Sequence, residues 1–99
     1  MSVLMVQSKF KAQGVAAVES AVKKVIVALD AQQPEGIRYA SLLWPDGETL
    51  VALLQVDDGT ESSLFSLPEY KDLLETAEQS RSEPPVVQRC TLTGSYRLF

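Results

Sequence analysis

Residues 36–58 read GIRYASLLWPDGETLVALLQVDD, and the fold turns on this stretch. Two apolar runs, Ile37 to Trp44 and Leu50 to Val56, flank Pro45-Asp46-Gly47. Both runs are rich in residues that suit a pleated surface, and the proline presets a turn in which the glycine is free to take a positive φ. The stretch is a β-hairpin. A three-residue loop over Pro45, Asp46 and Gly47 pairs Trp44 with Glu48. In that register Tyr39, Ser41 and Leu43 share one face with Val51, Leu53 and Gln55.

On the N-terminal side of the hairpin, Val3 to Phe10 predicts a strand with two apolar faces in its first half, as a central strand requires. From Gly14 to about Gln33 the period changes. Val15, Val18, Val22, Val25, Ile26 and Leu29 recur at helical spacing, and Pro34-Glu35-Gly36 ends the helix. On the C-terminal side a polar loop, Asp57 to Glu61, precedes Phe65-Ser66-Leu67-Pro68-Glu69-Tyr70. Ser66 as N-cap and Glu69 three residues on predict a capping box, with Phe65 and Tyr70 as a hydrophobic staple. The stripe Tyr70, Leu73, Leu74 and Ala77 carries this second helix to about Ser80, and Val86 to Leu98 predicts a last strand with Gly94 as a bend or bulge.

The element order is therefore β-α-β-β-α-β, an α+β chain forming one domain over residues 1–99. Right-handed crossovers place the strands in the order 4-1-3-2 in an antiparallel sheet with both helices on one face, the ferredoxin-like arrangement. Leu50, Ala52, Leu54 and Val56 can then face the helices, which leaves Val51 and Leu53 on the other side. With Leu43, Tyr39 and Met5 or a neighbour, that second face holds about five sizeable apolar side chains, each worth roughly 1.5 to 3 kcal/mol if buried. A second copy packed sheet to sheet about a twofold axis would cover it, so a homodimer is expected, with Val51, Leu53 and Leu43 at its interface; the alternatives are a monomer with an apolar sheet face and a partner domain of a longer protein.

Composition excludes several classes. A net charge of −4 with nine scattered Lys and Arg residues argues against a nucleic-acid partner. Neither a basic amphipathic helix nor an uncharged span of membrane length is present, and the first ten residues do not read as a signal peptide. A lone cysteine, Cys90, fits a reducing compartment, and the expected location is the cytoplasm. The chain has no histidine, which removes Ser-His and Cys-His nucleophile pairs and the commonest base at neutral pH. Cys90, at an alternating strand position, reads as a small buried residue rather than a nucleophile. Asp57, Asp58 and Glu61 lack the spacing of a calcium loop, and Ser20-Ala-Val-Lys23 lies on the polar side of its helix. No catalytic residue, metal ligand or cofactor is assigned.

What remains are polar and aromatic residues on strands and helix starts otherwise written for burial: Gln7, Arg38, Tyr39, Ser41, Trp44, Gln55, Phe65 and Tyr70. A buried polar side chain needs a partner, and a pocket lined this way suits a flat, largely apolar molecule held by a few hydrogen bonds.

The strand and helix order on about one hundred residues, the two-faced sheet and the Phe-Ser-Leu-Pro-Glu-Tyr segment resemble the dimeric α+β barrel superfamily, in particular proteins similar to the antibiotic biosynthesis monooxygenase group. The resemblance spans Ser2 to Phe99. It implies a homodimer whose sheets face each other, and a cavity between sheet and helices. Some members oxidise polycyclic phenols there without metal or flavin, and others bind or degrade haem. The phenol-oxidising members use an asparagine with tryptophans, and the haem-degrading ones a histidine. This chain has neither asparagine nor histidine, and its one tryptophan, Trp44, sits against the hairpin turn. The reading is a homodimer of unassigned activity that binds a small aromatic or apolar metabolite. The alternatives are a cofactor-independent monooxygenase-like enzyme for phenolic or polyketide-type substrates, with Tyr39, Trp44 or Arg38 replacing the usual donors, and a structural or assembly module.

Overall fold

A computed structural model describes residues 2–56 and 64–96. Strand β1 (Ser2–Lys9) leads through a 3-10 turn (Ala12–Gly14) into helix α1 (Val15–Gln32). Strands β2 (Ile37–Leu43) and β3 (Thr49–Val56) form the hairpin. Helix α2 (Pro68–Ser80) and strand β4 (Val86–Thr91) complete the order β-α-β-β-α-β. The strands lie antiparallel in the order β2-β3-β1-β4, which is the predicted 4-1-3-2, with the first and third strands in the centre. Both helices pack on one face of the sheet, where Val18, Ala21 and Val25 of α1 and Leu73 and Ala77 of α2 close around Phe10 and Leu50. A second cluster, Ala28, Leu54, Leu64 and Leu67, continues the core beside Tyr39 and Tyr70.

The hairpin register differs by one residue from the predicted pairing. Leu43 pairs with Leu50 and Tyr39 with Leu54, so four residues, Pro45 to Glu48, form the loop. The cause is Asp46. Its carboxylate accepts hydrogen bonds from the backbone N–H of Glu48 (2.8 Å), the N–H of Thr49 (2.9 Å) and the Thr49 hydroxyl (2.7 Å). Trp44 then pairs with Thr49 across the loop, and Gly47 takes a φ of 73°. Because side chains alternate, this single step moves all of β2 to the other face. Tyr39, Ser41 and Leu43 stand with Leu54, Ala52 and Leu50 on the helix side, while Arg38, Ala40 and Leu42 stand with Gln55, Leu53 and Val51 on the open side.

Two further expectations are corrected. The N-cap of α2 is Leu67, with Pro68 first in the helix, and no side chain caps it. Leu67 is buried in the second core cluster and accepts the N–H of Lys71 through its carbonyl, so apolar burial sets the helix start in preference to the Ser66 hydroxyl. Strand β4 ends at Thr91, well short of Leu98. Residues 91–96 instead share a shallow cleft with Val3, Leu53 and Cys90 on the open face. Cys90 is half-buried there. The predicted loop Asp57 to Glu61 and the end of the predicted last strand, Arg97 and Leu98, lie outside the described residues.

Close approach of the two helices rests on a glycine. A Cβ at Gly14 would stand 2.7 Å from the Cβ of Ser80, so the start of α1 and the end of α2 meet where only a hydrogen fits.

Candidate functional site

Between the sheet and the helices lies a cavity of about 100 Å³. Its floor is the helix-side row of the central strands: Leu4 and Val6 of β1, and Leu50, Ala52 and Leu54 of β3. Its roof comes from Val18 and Val22 on α1 and from Tyr70, Leu73, Leu74 and Ala77 on α2. Polar groups enter from three directions. Ser8 reaches it from β1, Tyr39 and Ser41 from β2, and Arg81 from the residue that follows α2. The backbone of Arg81 bridges to that of Phe10, and this tertiary link carries the end of α2 to the cavity wall.

The electrostatics are those of a desolvated space. The hydroxyl of Tyr39 is pushed up to about 12, chiefly by burial and then by the neighbouring Tyr70. Burial also raises Tyr70. Both phenols are hydrogen-bond donors at neutral pH and neither is a base. Arg81 is the one charged residue among the lining, and its Nε is buried without a hydrogen-bond partner among the described residues.

Of the candidates named from sequence, Tyr39, Ser41 and Tyr70 meet at this cavity. Phe65 is half-exposed and packs against Tyr70 in a tilted arrangement with ring centroids 5.8 Å apart, outside the lining. Gln7, Arg38 and Gln55 are on the open face. Trp44 is 54% exposed at the hairpin end, in a shallow cleft with Gln7, Lys9, Thr49 and Val86. The three residues considered as replacement donors, Tyr39, Trp44 and Arg38, thus do not converge. Among the interface candidates, Val51 and Leu53 lie on the open face, whereas Leu43 belongs to the helix side. Ser8 and Arg81 escaped the sequence reading. Ser8 could have been found as the polar member of an apolar row, but nothing local marks Arg81.

The open face is itself apolar. Met5, Ala40, Leu42, Val51 and Leu53 occupy it, and Leu42 and Val86 are each about half exposed. Gln55 is only 3% exposed there, with neither amide atom hydrogen-bonded among the described residues. No group of three or more metal-ligating side chains occurs among the described residues, and no helix among them is long and apolar enough to cross a membrane.

Comparison with solved structures places this geometry. A protein from Mycobacterium tuberculosis superposes with a TM-score of 0.75 at 14% identity, over 95% of this chain and 96% of its own. An antibiotic biosynthesis monooxygenase superposes with a TM-score of 0.75 at 10% identity, over 95% and 100%. The chain has the ferredoxin-like fold of the antibiotic biosynthesis monooxygenase-like proteins. Another protein with this fold, of unknown function and from Nitrosomonas europaea, is similar at 16% identity with a TM-score of 0.72, over 96% and 91%. Identities this low carry the fold and not an activity. No family model and no curated protein matches the chain.

Proposed function

We propose that the chain is a homodimer packed sheet to sheet, and that the cavity of each protomer binds a small aromatic or apolar molecule. The observation that carries the binding reading is the cavity itself: an apolar space whose lining includes the hydroxyl-bearing residues Ser8 of β1 and Tyr39 and Ser41 of β2. Concave apolar sites with a few convergent polar groups are the usual form of a small-molecule site. A space of about 100 Å³ suits a body of about one ring, since an engineered apolar cavity of about 150 Å³ holds benzene. An assembly module would have the same space filled by side chains. Oxidation of a phenol needs a group to take its proton, and the tyrosines here keep theirs while Arg81 is a cation.

Support for the dimer comes from the open face, where no helix among the described residues lies over Met5, Leu42 and Leu53 and where Leu42 is about half exposed. The binding reading is tested with toluene followed by amide chemical shifts. Residues around Ala52, Tyr70 and Leu73 are expected to shift saturably, and Ala52→Phe, which fills the cavity, to abolish the response. An unchanged spectrum at saturating toluene would contradict it.

A further inference from the structure

We propose that the ligand carries a single carboxylate, bound by Arg81 while its apolar body lies over Val6, Ala52 and Leu54. This rests on the cavity being a ligand site and assigns the chemical class of what it takes. Arg81 puts a positive charge in the lining of an apolar space, and a cation in such surroundings needs an anion beside it. Arg81 lines an otherwise uncharged cavity, so no carboxylate side chain of the wall competes for it. It follows the last turn of α2, whose carbonyl end favours a cation. A carboxylate is an acceptor-only group whose two oxygens match the planar fork of an arginine. The buried phenol of Tyr39, a donor across the same space, adds to the preference for an acceptor. The net charge of −4 repels anions at long range, so affinity must come from this local pairing rather than from steering.

The probes are benzoate and benzyl alcohol, which share one ring and differ in charge. Amide shift titrations of the wild-type protein are expected to show benzoate binding about tenfold to a hundredfold more tightly than the alcohol, the range of a charge-assisted hydrogen bond. Arg81→Met should abolish that preference while the alcohol still binds, and Arg81→Lys should retain part of it. Should Arg81→Met fail to fold, the wild-type protein decides: its preference must vanish as the pH is lowered until the probe is protonated. Equal binding of the two probes, or a preference that survives in Arg81→Met, overturns the carboxylate assignment alone. Binding of neither probe, with toluene also silent, overturns the cavity reading along with it.

Discussion

The two faces of the sheet are built from the same strands and nearly the same residue types, yet they end differently. On the helix side, Leu50 and Leu54 are 8% and 7% exposed beneath α1 and α2, and the tyrosines beside them are desolvated. On the open side the central strands are as well buried, with Val51 7% exposed, and the edge residues Leu42 and Val86 stand about half exposed, as Leu43 and Val87 do at the edges of the helix side; what differs is that no helix among the described residues lies over the open side. A two-layer protomer covers one apolar face with its helices, and in the proposed homodimer a second copy covers the other. Alternation along a strand cannot reveal this, because a strand apolar on both sides announces only that both are to be covered.

The sharpest way to break the comparison is to delete equal side chains from the two faces. Leu54→Ala removes buried methyl groups from the helix side and is expected to cost about 2 to 5 kcal/mol in thermal or denaturant unfolding at every protein concentration. Leu42→Ala should cost under about 0.5 kcal/mol in dilute solution, as a surface change does. Its cost should rise with protein concentration, because there a partner buries the site. Equal costs at all concentrations would show that the faces do not differ in this way.

Helix-side packing is next. Gly14→Ala drives a Cβ to within 2.7 Å of Ser80, and the two helices must part to admit it. A loss of about 1 to 3 kcal/mol is expected, the range of overpacked sites, and Ser80→Gly in the same chain should restore part of it. A neutral effect of Gly14→Ala would mean that the helices are not so closely held.

The smallest effect concerns the hairpin register that sorts residues between the faces. Asp46→Ala should speed amide exchange at Glu48 and Thr49 without unfolding the domain. The Asp46 carboxyl is held below its ordinary 3.8 first by the N–H of Glu48, then by the Thr49 hydroxyl and N–H. The folded state therefore binds its proton less readily than the unfolded one. Protection of the loop is complete above pH 3.8 and fades as the pH falls through the lowered value. Loop exchange that ignores both the substitution and the acid limb would contradict Asp46 as the register lock.

The fold was legible because the period of the apolar pattern switches cleanly, from two in the strands to 3.6 at Val15 and again at Tyr70, and because Pro45-Asp46-Gly47 marks the hairpin. The register was not, since the choice between a three- and a four-residue loop lies in one side chain, Asp46, reaching past Glu48 to Thr49. The same one-residue step decided the site. Tyr39 and Ser41 were visible as polar interruptions of a buried strand, but which face they served depended on it. Arg81 was invisible for another reason. In sequence it belongs to the polar break after α2, and only its long-range bridge to Phe10 brings it to the cavity.

Sedimentation equilibrium on the wild-type protein beside Leu53→Asp tests the central claim most directly, that the open face is covered by a second copy. The account predicts a native mass twice the 10.8 kDa of one chain, falling to a single chain in the variant, whose new carboxylate would be buried between the sheets. A wild-type protein that stays at 10.8 kDa across micromolar concentrations, or a Leu53→Asp variant that keeps the doubled mass, would contradict it.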